Sequence, residues 1–346
     1  MKERKIFIVN QKNIINAGCF NFETALKTAE EAVCSYAKFR VLYPDKISQI
    51  FDEATQDRIN CLPATLLDQK VCGMKWVSVF PSNKTAGLQN LSASILLSST
   101  ETGFPLCFME GTLCSNLRTA SVSALAAKYL APKNPKTVGF VGAGQQARFH
   151  LAALVSLFPG IKTCYVSSRT HQSELDFINE LKKVCPKVDF VDCKGEYEKA
   201  VRNADILVSA ISGQAPIIKA DWIKKGSLYL HVGGWEDEFA VVQKADKIVC
   251  DHWESVKHRT QTLSRAYKAG LLSDSEIYCD IDKLVSGEKP GRTARDEFIY
   301  FNAVGLSYVD IALANWIYKT CLEKNEGSFI PLQNDASVFS ELEGGF

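Results

Sequence analysis

Residues 137–148 read TVGFVGAGQQAR, and no other stretch constrains the chain as tightly. Val138, Gly139, Phe140 and Val141 suit a short buried strand. Gly142, Ala143, Gly144 and Ala147 follow at once in the spacing G-x-G-x-x-A, and apolar residues then recur at helical spacing over 145–157 (Ala147, Leu151, Leu154, Val155). Strand, Gly-rich turn and helix in that order form the context a dinucleotide-binding fingerprint requires. Gly142 permits the tight turn, Gly144 lets backbone approach a pyrophosphate, and Ala147 is small enough for the helix to pack close to the strand. The phosphates would meet the helix N-terminus, where unpaired N–H groups and the dipole favour negative charge. The competing reading is an ordinary strand-to-helix turn with chance glycines.

A length of 346 residues suggests two domains of about 150 residues each. With 46% hydrophobic and 23% charged residues the chain is expected to be globular with a large core. A net charge of +1 gives no electrostatic case for nucleic acid or a membrane surface. The opening MKERKIFIVNQKN has no long apolar run, and no stretch approaches the ~20 apolar residues of a membrane span. The 12 cysteines are scattered without a C-x-x-C pair, and the five histidines lack H-x-x-x-H spacing. These patterns point to reduced core thiols in a cytoplasmic protein, with neither a disulfide framework nor a metal site.

Along the chain, strands are expected at 6–9, 58–63, 71–80, 92–97 and 105–110, with helices at 21–40 and 113–129. In the run VCGMKWVSVF (71–80), Lys75 shares a strand face with Val71, Gly73, Val77 and Val79. A lysine there either snorkels to an edge or points into a cavity holding an anion. Arg118 lies within an Ala-rich helix. It is either a surface residue or a guanidinium aimed at a carboxylate, where bidentate pairing fixes orientation. Ala131-Pro132-Lys133-Asn134-Pro135 breaks that helix and marks a domain boundary.

The second strand of the dinucleotide unit is expected at 163–167. An acid near its end would bind the ribose 2′-hydroxyl. The chain instead has Ser167-Ser168-Arg169-Thr170, which suits a 2′-phosphate, so NADP is favoured over NAD. The alternative is that Arg169 is a solvated helix-start residue. Further strands are expected at 188–191, 204–210, 227–232, 247–250 and 299–303, with helices at 197–203 and 304–318. Ligands collect at the carboxyl ends of such strands, which adds Ser209, Gly233 and Gly305 to the Gly-loop residues Gly142, Ala143, Gly144, Gln145, Gln146 and Ala147, and to Ser168, Arg169 and Thr170, as candidate cofactor contacts. The acidic run Glu236, Asp237 and Glu238 falls at one such end. Glu236 is the favoured proton donor or acceptor, against the alternative of a solvated loop charge. The tail 334–346 is polar and weakly patterned, and is expected either to lack order or to pack on a partner.

Five stretches together carry a family resemblance: GMKWVSVFPSNK (73–84), NLRTASVSALAAKYLAPKN (116–134), VGAGQQARFH (141–150), ADILVSAISG (204–213) and VGLSYVDIALANWIY (304–318). The chain resembles the ornithine cyclodeaminase/μ-crystallin superfamily over nearly its whole length. The resemblance implies an α/β protein: a Rossmann NAD(P)-binding domain over 131–311, and an α+β substrate-binding and dimerisation domain over 1–130 with 312–346. It assigns Lys75 and Arg118 to a substrate carboxylate, with Lys46 as a further cation, and it implies a homodimer. Residues 246–273 and the SGEKPGR turn (286–292) are similar to N-(2-amino-2-carboxyethyl)-L-glutamate dehydrogenases of 2,3-diaminopropionate biosynthesis. Where cyclodeaminases carry Gly-Gly-Asp, this chain has Gly233-Gly234-Trp235-Glu236. The implied function is oxidation of an amino acid or N-substituted amino acid to an imine with hydrolysis, or the reverse reduction, with Lys75 and Glu236 as catalytic residues. Cyclodeaminase, ketimine reductase and a non-catalytic NADP-dependent binding protein are the alternatives.

Overall fold

The computed structural model describes residues 4–52, 54–211 and 213–333, and the side chains of residues 84 and 85 are not described. The polar tail 334–346 lies outside the described residues. Contacts divide the chain into two compact units. The first takes residues up to Phe20, Arg40–Ser115 and the chain from Asp310 onward; the second takes Asn21–Phe39 and Asn116–Val309. The divisions thus fall at 115/116 and 309/310 rather than at 130/131 and 311/312, inside the helices Thr112–Leu130 and Ser307–Glu323. Among the described residues no helix is long and apolar enough to cross a membrane.

The first unit is built on an eight-stranded sheet. Its centre is the antiparallel run Asp57–Leu66, Val71–Val79, Leu91–Ser99 and Pro105–Glu110. Period-two alternation forms it: in Asp57–Leu66 the buried positions are Asn60, Leu62, Ala64 and Leu66. The register sets Leu62 opposite Lys75, and Lys75 opposite Ile95, so all three share the buried face. Arg4–Val9 joins parallel to Pro105–Glu110, and Ser328–Gln333 pairs antiparallel on its outer side. A Cβ on Gly73 would lie 2.5 Å from the Leu96 carbonyl oxygen and 3.0 Å from Ile311 Cδ1, so glycine lets the last helix approach this sheet.

The second unit holds an eight-stranded parallel sheet in the order Asp189–Asp192, Thr163–Ser167, Thr137–Val141, Ile206–Ser209, Leu228–His231, Ile299–Asn302, Lys247–Cys250, Ile277–Asp280. The strand order reverses between Thr137–Val141 and Ile206–Ser209, the switch point where doubly wound sheets bind ligands. The central strands Thr137–Val141, Ile206–Ser209 and Leu228–His231 are buried almost throughout, as in sheets covered on both faces. The helix Phe22–Ala37 is grouped with this unit, not with its sequence neighbours. It buries Ala25, Ala29, Ala32 and Val33, sets Phe22 against Phe149, and stacks Tyr36 on Tyr308 with ring centroids 5.0 Å apart. Glu30 accepts hydrogen bonds from Lys128 and Tyr129.

Candidate functional site

The Gly-rich turn has the geometry that its residues suggest. Gly142 has φ +106°, and a Cβ there would lie 2.6 Å from Ile211 Cγ2 and 2.8 Å from the Ala210 carbonyl oxygen. Only glycine fits both the conformation and the space. Gly144 is the N-cap of the helix Gln145–Leu157; it offers no side-chain cap, no acid stands in the first turn, and the space a Cβ would take is open. The first-turn N–H groups therefore face a cradle suited to a pyrophosphate. Ala147 is fully buried, and Gln146 donates from Nε2 to Asn116. His150 joins the same helix to the Ala-rich one through Ser123; its burial lowers its pKa to about 4, so it is a neutral packing residue.

At the end of Thr163–Ser167, Ser168 is buried and Arg169 is exposed. Thr170 shares a 2.6 Å hydrogen bond with Ser173. The nearby acids are occupied. Glu174, fully buried, accepts N–H bonds from Ser168, Lys194 and Gly195, and Asp192 lies 2.6 Å from His171 Nε2. The end of this strand thus presents a guanidinium and hydroxyls.

Beyond the switch point, Ser209 turns its hydroxyl to Tyr229 OH at 2.8 Å. Glu236 and Asp237 belong to a short strand, Trp235–Asp237, paired with Gln214–Ile218, and both are fully buried. This excludes the solvated-loop reading for these two acids; Glu238 is half-buried. Glu236 Oε1 accepts N–H bonds from Ile211 at 2.9 Å and Gly234 at 3.0 Å. Burial raises its pKa against the lowering pull of His231 and of hydrogen bonding. A Cβ on Gly233 would collide with that carboxylate, so glycine is required there too.

Arg118 is 7% exposed, which excludes the surface reading. Its guanidinium lies against Gly305, at φ +100°, where a Cβ would stand 2.7 Å from Nη1. Gly305 follows the strand Ile299–Asn302, so Arg118 reaches the carboxyl edge of the parallel sheet. Asp251 holds the same turn by accepting N–H bonds from Val304 and Gly305. Its burial raises its pKa to about 6, opposed by those bonds and by Arg118.

In the first unit, Lys75 is 1% exposed, so it does not snorkel. Its Nζ lies 2.8 Å from Asp310 Oδ1 and 3.2 Å from Ser115 Oγ. Asp310 was not anticipated, and a partner 235 residues away leaves no local signal. Arg58 is a second residue missed. It shares the Lys75 face by strand parity, and burial lowers its pKa. Lys46 is half-buried just before the strand Ile47–Asp52. Continuing the Ile47–Cys61 register by one residue sets Lys46 opposite Leu62, the neighbour of Lys75.

The chain is similar to known proteins over nearly its whole length. The chain is 27% identical over 334 residues to N-((2S)-2-amino-2-carboxyethyl)-L-glutamate dehydrogenase of Staphylococcus aureus, covering 95% of this chain and 99% of that one. Δ1-pyrroline-2-carboxylate reductase of Thermococcus litoralis, solved with NADH and L-proline, superposes with a TM-score of 0.88 at 28% identity, covering 93% and 99%. An archaeal alanine dehydrogenase dimer with bound NAD gives 0.86 at 30% identity, covering 94% and 99%. With a family model matched from residue 9 to residue 325, the chain belongs to the ornithine cyclodeaminase/mu-crystallin family.

Proposed function

We propose that this member of the family acts at the C–N bond of an amino acid or N-substituted amino acid, forming and hydrolysing an imine or reducing one, in the manner of an N-(2-amino-2-carboxyethyl)-L-glutamate dehydrogenase. It is an NAD(P)-dependent oxidoreductase, as its relatives are named dehydrogenases and reductases. The observation that carries the reading is a convergence at one sheet edge. The uncapped helix N-terminus after Gly144 and the buried Arg118 guanidinium against Gly305 both belong to the carboxyl side of the parallel sheet.

The nicotinamide, when bound, supplies the hydride chemistry. The chain supplies binding, orientation and proton handling. The backbone at Gly142–Ala147 receives the pyrophosphate. Arg118 pairs with a substrate carboxylate in a fixed fork geometry; Lys75, whose charge is shared with Asp310, and Lys46 are the further substrate-binding cations proposed. Glu236, with its pKa raised by burial, gives or takes the proton. Arg169 favours the 2′-phosphate of NADP, because the acids around it are already bonded. A homodimer is proposed, as for the archaeal alanine dehydrogenase. The outer face of the first sheet, where Trp76 and Phe108 are 39% and 44% exposed, is its proposed contact.

The test is absorbance of the reduced cofactor during turnover with a panel of amino acids, N-carboxyalkyl amino acids and cyclic imines. Net formation of reduced cofactor from an N-substituted amino acid supports the reading. Conversion of ornithine with no net change would identify a cyclodeaminase, and consumption by cyclic imines alone a ketimine reductase. Tight cofactor binding without turnover would favour a binding protein. NADPH and NADH titrations test Arg169, and tighter NADH binding would refute the NADP preference.

A further inference from the structure

The carboxyl edge of the second unit contains a continuous chain of buried polar side chains outside the roles given so far. Gln261 is 6% exposed. Its Nε2 donates to the Gly233 carbonyl at 2.7 Å and to the Ala303 carbonyl at 3.1 Å. Its Oε1 accepts from Asn302 Nδ2 at 2.8 Å. Asn302 Oδ1 in turn lies 2.9 Å from His231 Nδ1, and the two residues face each other across paired strands. His231 Nε2 stands 3.4 Å from Asp237 Oδ1, which also accepts the Thr262 hydroxyl at 2.6 Å.

The order of donors along this chain is fixed. Carbonyls only accept, so Gln261 must present its NH2 to Gly233 and Ala303. Its oxygen then requires the NH2 of Asn302. Asn302 is left with its oxygen toward His231, which must carry a proton on Nδ1. Asp237 stands behind the other ring nitrogen. The two loop carbonyls thus set the orientation of each polar group in the chain as far as the His231 ring.

The near end is the loop at Gly233 and Gly234. Glu236 Oε1 accepts the Gly234 N–H, and Gln261 holds the Gly233 carbonyl. The same amide ties this loop to Ala303, at the end of the neighbouring strand Ile299–Asn302. Both strand ends lie past the switch point, in the half of the sheet that takes the nicotinamide rather than the adenosine.

We propose that Gln261 is a positioning residue for the nicotinamide end of the cofactor, holding the Gly233 and Ala303 loops while Asn302 and His231 brace its amide. This rests on the nicotinamide-cofactor reading above.

The test compares two ligands on the full-length protein. NADPH is titrated against 2′-phospho-ADP-ribose, and NADH against ADP-ribose, since the second member of each pair lacks nicotinamide. Gln261→Met keeps the side-chain shape and removes every hydrogen bond. We expect it to weaken binding of the reduced cofactor about tenfold, the worth of one or two buried hydrogen bonds. The nicotinamide-free ligand should bind within about twofold of the parent. Asn302→Asp cannot donate to Gln261 Oε1, so it should give the same selective loss, and the double variant should be no worse than either single. Equal weakening of both ligands marks a purely structural role and overturns the inference, as does unchanged binding of both. Binding of neither ligand by the parent protein overturns the cofactor reading itself, which is a different failure.

Discussion

The pair Lys75–Asp310 allows a stringent test, because its two charges are 2% and 0% exposed at the side chain and 2.8 Å apart. Removing one partner of such a pair leaves an uncompensated buried charge and costs about 3–5 kcal/mol. Replacing both by apolar residues of similar volume is close to neutral, because the desolvation cost disappears with the charges. Lys75→Met and Asp310→Leu should therefore each destabilise by about 3–5 kcal/mol, while the double variant should lie within about 2 kcal/mol of the parent. Independent sites would instead add to about 6–10 kcal/mol. Urea titrations followed by near-ultraviolet circular dichroism read the order of midpoints. A double variant as unstable as the sum of the singles would refute the argument that the two charges act chiefly on each other. The same protein separates folding from chemistry. If Lys75 serves the substrate carboxylate as well, the double variant is folded and inactive; parent-like kinetics in it would remove Lys75 from the site.

Arg118→Ala should leave NADPH binding unchanged while raising the substrate KM and lowering kcat/KM by at least tenfold, the loss of a charge-assisted bidentate contact of about 1.5–3 kcal/mol; near-normal steady-state kinetics would exclude the carboxylate role. Asp280 is raised to about 7, first by burial and then by Asp251, Asp282 and Glu254. Its folded-state pKa lies above the unfolded one, so the proton stabilises the fold fully below about pH 4, and this contribution is lost as pH rises through about 7. Asp280→Asn keeps an acceptor for the Trp253 N–H and removes the charge. Discounted for the partial exposure of Asp280, it should gain about 2 kcal/mol at pH 8 and nothing at pH 4, read as thermal midpoints at the two pH values. Equal differences at both pH values would show that Asp280 does not titrate as described.

What could be read from sequence was whatever is encoded in local period. In the run Val71–Val79 the buried residues Val71, Lys75 and Val77 all lie on the face that the period-two reading gave to Lys75, and Trp76 on the other face is exposed. The strand, glycine turn and helix from Thr137 to Leu157 are equally local. Ile47–Asp52 and Ser328–Gln333 were missed because every residue in them is exposed, so no burial pattern marks them. Lys75 left two readings open; its burial removes the snorkelling one, and the acid that pairs with it comes from the far end of the chain. Helix Phe22–Ala37 was recognisable as a helix, but its grouping depends on Phe149, Tyr308 and Tyr129, which nothing in its own spacing reveals. The acids after Gly234 read as a charge cluster because composition cannot show that two of the three are buried.

Those buried acids share a task that bears on the chemistry. Glu174 accepts three loop N–H groups at the end of Thr163–Ser167, Glu236 two beyond Ile206–Ser209, and Asp251 two at the turn after Ile299–Asn302. Each carboxylate fixes a loop at the carboxyl edge of the sheet through backbone N–H groups, and at Asp251 the Arg118 guanidinium adds its charge to them. A site meant for a pyrophosphate and a carboxylate needs rigid loops and cannot present negative charge. Acids whose oxygens are taken up by loop N–H groups meet both demands. At Glu174 the three N–H groups are shared between both carboxylate oxygens, which an amide with one acceptor oxygen could not match. Of the three loop acids, Glu236 alone combines that task with a carboxylate oxygen, Oε2, that makes no hydrogen bond among the described residues, which leaves it an oxygen for proton transfer.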